Sequence, residues 1–224
     1  DNDWDEIPHK SVSIVIAARN EENNLESLLN DIALQDYPLD LLEVSIVDDR
    51  STDKTWEIIT QFSEKYSFIR GIQIHELSEE MTPKKNALTK AVEMTSGDII
   101  VTTDADCRVP TTWVSSMVKS LGDNYSISIG YSQTLVSANS LFHRFQNMDF
   151  LGIMVANAGA AGWNNYWSGS GQNLAYLRSA FEEIGGFKPV HYRISGDDMY
   201  LVQSISKIGK ATFNIDLRGS VKTT

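Results

Sequence analysis

The amino-acid sequence predicts an α/β fold in which a mostly parallel central sheet is flanked by helices. Continuous β-branched runs such as Val12–Ala18 are typical of strands that are buried on both faces. Apolar residues at helical spacing follow these runs, and such alternation favours a parallel, doubly wound sheet. The 224 residues are 42% hydrophobic, which supports a sizeable core. Because no internal repeat or low-complexity linker interrupts the pattern, we expect a single domain over residues 1–224.

Strands and helices alternate through the first 131 residues. Asn20 is expected to cap the first helix, because Glu21 and Glu22 would then lie in its first turn and leucines follow at helical spacing. Pro83 precedes an alanine-rich helix over residues 86–94. The predicted strands cover residues 12–18, 44–47, 69–74, 98–103 and 126–131, with further helices around 56–66 and from residue 111.

The chain changes character after Tyr131, where we expect a mixed C-terminal part. Residues 140–160 are apolar on too many sides for an ordinary surface helix, so a core helix is the first expectation. A wall of a binding site and a membrane-proximal surface are the alternatives. A glycine pair at 185–186 predicts the end of one helix, and Gly196-Asp197-Asp198 predicts the start of another.

Asp104-Ala105-Asp106 directly follows a buried strand, and other polar clusters follow the strands near it. Ligands of doubly wound sheets bind at the carboxyl ends of the strands, so residues 17–21, Asp48-Asp49 and Asp104–106 are expected at one edge. Two carboxylates at positions i and i+2 can reach one divalent cation. Hard oxygen ligands of this kind suit Mg²⁺ or Mn²⁺, and these ions in turn suit phosphate oxygens.

The charge balance restricts the classes of partner. A formal net charge of -11 argues against nucleic acid as a partner, because phosphate backbones require basic surfaces. An acidic protein that binds a phosphorylated ligand must therefore screen it locally, with a metal or a few lysines and arginines. No G-x-G-x-x-G motif follows the first strand, which disfavours a nicotinamide-dependent dehydrogenase. The four histidines show no metal-ligand spacing.

An ordered set of motifs gives the chain its strongest functional signal. The motifs are SIVIAARNEE at 13–22, VDDRSTD at 47–53, KKNAL at 84–88, TDAD at 103–106, SGQNLAYLR at 170–178, EIGGF at 183–187 and GDDMYL at 196–201. The set resembles the family 2 glycosyltransferases, which have the GT-A fold, over nearly the whole chain from Val12 onward.

The resemblance implies transfer of a sugar, with inversion, from a nucleotide-diphosphate donor to a hydroxyl acceptor. The donor is often UDP-linked in this family. Backbone at Ala17 and the side chains of Arg19 and Glu21 would contact the nucleoside. Asp49 would accept a hydrogen bond from a base N–H group. Lys85, with Lys84 as the alternative, would lie near the base or the diphosphate.

The resemblance also assigns roles in metal binding and catalysis. Asp106 would bind Mg²⁺ or Mn²⁺, and Asp104 would contact the ribose or reach the metal through water. Asp198 would be the general base that takes a proton from the attacking hydroxyl. Asp197 stands where the family more often has Glu.

The same resemblance sets expectations for organisation and partners. Residues 1–131 would bind the nucleotide sugar, and residues 132–224 would bind a glycan, a lipid-linked molecule or another hydroxyl acceptor. We expect a cytoplasmic catalytic domain that segments outside this chain could hold at the inner face of the cell membrane.

Two other functions remain open at the level of sequence. A haloacid-dehalogenase-like phosphatase also uses a D-x-D motif after a strand and a later Gly-Asp-Asp. Its nucleophile usually ends the first strand, however, whereas three predicted strands precede the strand that Asp104 follows. The other alternative is a catalytically silent domain that binds a nucleotide sugar. The Gln-x-x-Arg-Trp motif of processive family members does not occur in this sequence.

Overall fold

A seven-stranded sheet forms the centre of the protein, and a three-stranded sheet lies beside it. The computed structural model describes residues 9–134 and 141–223. The strands are β1 Val12–Ala18, β2 Leu42–Asp49, β3 Ile69–Ile74, β4 Ile99–Thr102, β5 Cys107–Arg108, β6 Ile127–Gly130, β7 Ser132–Thr134, β8 Leu174–Leu177, β9 Ala211–Asn214 and β10 Val221–Thr223. The helices are α1 Leu25–Ala33, α2 Thr55–Lys65, α3 Pro83–Glu93, α4 Trp113–Leu121, α5 Leu141–Gly162, α6 Arg178–Glu183 and α7 Asp197–Ile208.

The large sheet has the strand order β3-β2-β1-β4-β8-β6-β9, and the predicted α/β fold with a mostly parallel sheet is confirmed. Only β8 runs antiparallel to its two neighbours in this sheet. The smaller sheet joins β10 to β5 and β7. The mixed character expected after Tyr131 therefore comes from β8 and from this second sheet.

Strand β1 is buried on both faces at the middle of the parallel half. Ile14 and Ile16 point into one hydrophobic cluster, whereas Val15 points into the other. The alternation explains why the β-branched run is continuous rather than amphipathic. β1 pairs in parallel with β2 on one side and β4 on the other, with Ala18 opposite Asp48 and Val15 opposite Thr102.

The predicted cap at Asn20 is wrong. Helix α1 begins only at Leu25, with Asn24 at its N-cap position. Asn20 instead has a φ of 57°, a left-handed conformation that asparagine tolerates better than most residues. Its side-chain oxygen accepts a hydrogen bond of 2.8 Å from the backbone N–H of Thr52. Asn20 therefore joins the two loops that follow β1 and β2.

The prediction of a core helix over 140–160 is also wrong. Helix α5 packs along one side against β7 and β9, and only Met154 and Asn157 are buried among its described side chains. Phe145 and Met148 are 62% and 64% exposed. The helix is apolar on its solvent side as well, so its composition does not reveal its burial. None of the helices in the described part of the chain has the length and hydropathy of a membrane span.

Asn173 connects the two sheets and helix α4. Its side chain is fully buried, and its Nδ2 donates hydrogen bonds of 2.8 Å to the carbonyl oxygens of Tyr131 and Gly219. Its Oδ1 accepts a hydrogen bond of 2.9 Å from the indole N–H of Trp113. A Cβ atom on Gly130 would lie 2.2 Å from Asn173 Cγ, so the glycine makes room for the amide.

Replacing Asn173 by Leu should lower the free energy of unfolding by roughly 3 kcal/mol, because a buried N–H and two buried carbonyls lose their partner. Urea denaturation followed by tryptophan fluorescence measures the change. Asn30→Leu on α1 is the control, since Asn30 is exposed and bonds only to the Glu26 carbonyl. We expect that control to shift stability by less than about 0.5 kcal/mol. Equal effects of the two substitutions would contradict the connecting role of Asn173.

Candidate active site

A pocket of about 320 Å³ opens at the carboxyl edge of β1, β2 and β4. It contains six of the residues for which the sequence predicts a contact with a nucleotide or a metal. The lining residues are Ala17, Ala18, Arg19, Glu21, Asp49, Pro83, Lys84, Ala87, Asp104, Ala105 and Asp106. The parallel register brings these residues together, because the loops after β1, β2 and β4 leave the sheet at one edge.

The loops after β1 and β2 hold the acidic side chains on one side of the pocket. The backbone N–H of Glu21 donates a hydrogen bond of 2.7 Å to Thr55 Oγ1 at the start of α2. Asp49, the last residue of β2, is 5% exposed, and its two carboxylate oxygens accept hydrogen bonds of 2.8 and 2.9 Å from the Arg50 guanidinium. The carboxylate of Asp49 is therefore fixed in orientation before any ligand binds.

The Asp104–Asp106 loop forms the opposite side of the pocket. Lys84 Nζ lies 2.8 Å from Asp104 Oδ1, and the lysine side chain is 46% exposed. Desolvation lowers the pKa of Lys84, but the charge and hydrogen bond of Asp104, followed by the charges of Asp197 and Asp198, raise it overall. Lys84 is therefore a cation at neutral pH, and it lies where an anionic ligand would meet it.

Negative charge is concentrated in this pocket. Burial raises the pKa of the Glu21 carboxyl, and the nearby charges of Asp106, Asp104 and Asp53 raise it further, against a hydrogen bond from Asn24 that lowers it. Ionising Glu21 is unfavourable because the other carboxylates are close. A bound cation would relieve this repulsion.

Asp104 and Asp106 fit a divalent cation as an incomplete ligand set. Within residues 9–134 and 141–223, no group of three or more His, Cys, Asp or Glu side chains is arranged to hold a metal ion. Mg²⁺ commonly binds through one or two carboxylates and completes its coordination with water and substrate phosphates. Two carboxylates beside a pocket open to solvent match that donor set.

Cys107, next to the acidic loop, is not suited to nucleophilic chemistry. Burial raises the pKa of its thiol to about 12, and the charges of Asp106 and Asp104 contribute to the shift. The thiol therefore stays protonated near neutral pH, and protonated thiols are poor nucleophiles.

Asp197 and Asp198 begin helix α7, as predicted, after Gly196 in a left-handed conformation with φ of 82°. Asp198 Oδ2 accepts a hydrogen bond of 3.2 Å from the backbone N–H of Gly171. The carbonyl of Gly171 in turn accepts a hydrogen bond of 2.8 Å from Thr102 Oγ1 at the end of β4. Gly171 thus connects the strand before the acidic loop to the first turn of α7.

A narrow cleft adjoins the pocket and brings Asp198 near the acidic loop. Its lining includes Lys84, Asp104, Asp197 and Asp198. Lys84 and Asp104 also line the pocket, so the pocket and the cleft share a wall. The loop after β4 therefore lies between the pocket, which can hold a phosphorylated ligand, and the carboxylate of Asp198, which can accept a proton.

Lys85 lies outside the pocket, although the sequence places it near the base or the diphosphate. Its side chain is 1% exposed, and Nζ donates a hydrogen bond of 2.7 Å to the carbonyl of Arg193. Consecutive residues of a helix point about 100° apart, so Lys84 can line the pocket while the Lys85 side chain is buried elsewhere. Pro83 is the sequence feature that favours Lys84 over Lys85 as a pocket residue. Helix α3 starts at Pro83, three residues before the predicted start of the helix, and Lys84 and Ala87 then lie on the face that lines the pocket.

Solved structures support the fold. The mannosyltransferase PcManGT from Pyrobaculum calidifontis, in complex with GDP-Man and Mn²⁺, superposes with a TM-score of 0.75 at 23% identity, covering 96% of this chain and 57% of that one. Residues 1–349 of TarS from S. aureus give a TM-score of 0.69 at 15% identity, covering 96% of this chain and 60% of that one. At these identities the likeness concerns the fold alone.

Relatives in sequence are glycosyltransferases by name. The probable glycosyltransferase YdaM of Bacillus subtilis (strain 168) is 31% identical over 185 residues, which are 81% of this chain and 43% of YdaM. The glycosyltransferase AglE of Haloferax volcanii is 27% identical over 215 residues, or 93% of this chain and 66% of AglE. The chain thus spans less than two thirds of the length of either relative.

The sequence profile of a family agrees with the motifs and with the fold. The profile of Glycosyl transferase family 2 matches residues 13–185, which include the motifs after β1, β2 and β4 and the glycine pair after α6. This match leaves no support for the phosphatase alternative. The chain belongs to glycosyl transferase family 2.

Proposed function

We propose that this domain transfers a sugar from a nucleotide-diphosphate donor to a hydroxyl acceptor, with inversion and with help from Mg²⁺ or Mn²⁺. One observation carries the proposal: the donor-type pocket and the cleft that contains Asp198 share the wall formed by Lys84 and Asp104. A donor in the pocket would therefore lie next to Asp198 without a large conformational change of the protein. Complexes of neighbours with GDP-Man and Mn²⁺ and with UDP-GlcNAc support a nucleotide sugar as the ligand.

The donor nucleoside would lie against the loops that follow β1 and β2. Ala17, Arg19, Glu21 and Asp49 all line that part of the pocket. Asp49 is held by Arg50, so it can accept a base N–H with little reorganisation. A UDP donor is our first expectation, and the sugar it carries is left to experiment.

The diphosphate would lie beside Lys84 and the acidic loop, which both line the pocket. Lys84 replaces Lys85 in this role because Lys84 lines the pocket and Lys85 does not. Asp106 would hold the divalent cation, and Asp104 would assist directly or through water. A bound cation would stabilise the negative charge that develops on the leaving diphosphate.

Asp198 would act as the general base on the other side of the shared wall. It would take the proton from the acceptor hydroxyl as the oxygen forms a bond to the anomeric carbon and the bond to the diphosphate breaks. Attack from the face opposite the leaving group inverts the anomeric configuration. The backbone N–H of Gly171, 3.2 Å from Asp198 Oδ2, orients the carboxylate.

The acceptor and the location stay predictions. Relatives include a beta-monoglucosyldiacylglycerol synthase and a dolichol-phosphate mannosyltransferase, whose names favour a lipid or lipid-linked acceptor over a free glycan. The chain covers 21% and 32% of these two relatives. The division into a donor half over 1–131 and an acceptor half over 132–224, and a cytoplasmic site at the membrane, are likewise proposals.

Asp106→Asn should weaken metal-dependent nucleotide binding by roughly 100-fold, because a cation clamped on phosphate oxygens contributes several kcal/mol. Isothermal calorimetry with UDP and with GDP, each with Mn²⁺ and with EDTA, measures the effect. Asp40→Asn is the matched control, since Asp40 is exposed and precedes β2 at the opposite edge of the sheet. The metal assignment fails if both variants bind the nucleotide as tightly as the unmodified chain does in Mn²⁺.

Asp198→Asn in the full-length protein should reduce transfer by roughly 100- to 10,000-fold, because the acceptor proton loses its base. Donor affinity should stay within about twofold, since Asp198 lies outside the donor pocket. Steady-state transfer assays with calorimetry of the same preparation measure both quantities. Asp197→Asn serves for comparison and should cost less activity. Substantial turnover by the Asp198 variant would rule out its role and leave a binding domain as the better description.

A further inference from the structure

Lys85 is a buried lysine whose position the donor site does not explain. Its side chain is 1% exposed, and its nearest anionic oxygen, Asp197 Oδ1, is 3.9 Å away. Desolvation lowers the pKa of Lys85, whereas the charge of Asp197 opposes that shift. Burying an ammonium group is costly unless it is paired or hydrogen-bonded. The bond of 2.7 Å to the Arg193 carbonyl is therefore the main local compensation among the described contacts.

The bond from Lys85 reaches the segment that leads into α7. We call residues 191–196 the α7 entry loop. Its side chains contribute little packing, since Tyr192 is 65% exposed and Ile194 is 92% exposed. A second bond from the start of α3 reaches the same loop: the backbone N–H of Thr82 donates to the His191 carbonyl over 3.1 Å. The first turn of α3 and its N-cap therefore hold the α7 entry loop at two points.

The α7 entry loop ends where the proposed base begins. Gly196 reverses the chain with a φ of 82°, and Asp197 and Asp198 follow as the first two residues of α7. Asp197 is the carboxylate that faces the Lys85 ammonium, and Asp198 is its neighbour. A shift of the loop would therefore move the first turn of α7 and weaken the contact of Asp198 with Gly171, which already spans 3.2 Å.

Helix α3 thus takes part in both halves of the site. Lys84 faces the donor pocket, and Lys85 faces the α7 entry loop. We propose that Lys85 is a positioning residue, whose bonds to the α7 entry loop fix the place of Asp198 relative to the donor pocket. This inference rests on the proposed role of Asp198 as general base. Lys85 itself would contact neither donor nor acceptor.

Lys85→Met keeps the length of the side chain and removes the ammonium group, so it should release the α7 entry loop without touching the donor pocket. Amide hydrogen exchange of the unmodified and variant chains should show faster exchange confined to residues 191–200. In the full-length protein, kcat with UDP-GlcNAc or GDP-mannose should fall by roughly tenfold or more, because small displacements of a catalytic group are costly. The donor KM and the calorimetric Kd for UDP with Mn²⁺ should change by less than about twofold.

Lys85→Arg should restore part of kcat, because a guanidinium can also donate to the Arg193 carbonyl. Thr82→Pro removes the backbone N–H that makes the other bond to the α7 entry loop, and it leaves Lys85 unchanged. Proline fits at this position because Thr82 has a φ of -62°. This substitution should also speed exchange in residues 191–200, and it decides the question if Lys85→Met does not fold. Unchanged exchange in this segment, or faster exchange with full kcat, would overturn the inference. If no donor is turned over by the unmodified protein, the proposed function fails, while the exchange data still decide whether Lys85 holds the loop.

Discussion

The parallel, in-register pairing of β1 with β2 and β4 is the constraint on which the site depends. Ala18 lies opposite Asp48, and Val15 lies opposite Thr102, so the three strands end at one edge of the sheet. Their interiors are buried on both faces, and a slip of the register would move polar residues at the strand ends into the core and apolar residues out of it. The hydrophobic core therefore determines where the polar loops emerge. Residues separated by more than eighty positions in sequence meet in one pocket for this reason.

This convergence creates an electrostatic problem that the proposed function resolves. Asp49, Asp104 and Asp106 share a small pocket in a protein of net charge -11. The pKa of the Glu21 carboxyl is raised, first by burial and then by the nearby charges of Asp106 and Asp104. A diphosphate adds further negative charge. Lys84 is the lysine on the pocket wall, and a divalent cation between the carboxylates and the phosphates would supply the remaining positive charge. The acidic composition that argues against nucleic acid as a partner is thus compatible with a phosphorylated donor.

The sequence predicts those parts of the fold in which burial and backbone geometry depend on the local pattern of residues. β1 and β2 were predicted because continuous apolar runs leave few alternatives, and the sheet rule then grouped the acidic loops correctly. The sequence does not predict features that depend on tertiary packing. Asn20 has the chemistry of a cap but lies in a left-handed turn. Helix α5 is apolar yet largely exposed, because packing against β7 and β9 occupies only one side of it. The resemblance favours Lys85 over Lys84, but α3 starts at Pro83 and Lys84 is the lysine that lines the pocket.

Anomalous diffraction at the manganese edge, from crystals of this chain grown with UDP or GDP and Mn²⁺, would locate the metal and the nucleotide together. We expect one strong manganese peak within bonding distance of the Asp106 carboxylate and of the diphosphate, with the nucleoside against Glu21 and Asp49. A nucleotide bound elsewhere on the surface, or a manganese peak remote from the loop after β4, would contradict this expectation. Either result would show that the shared edge of the parallel strands is not the donor site.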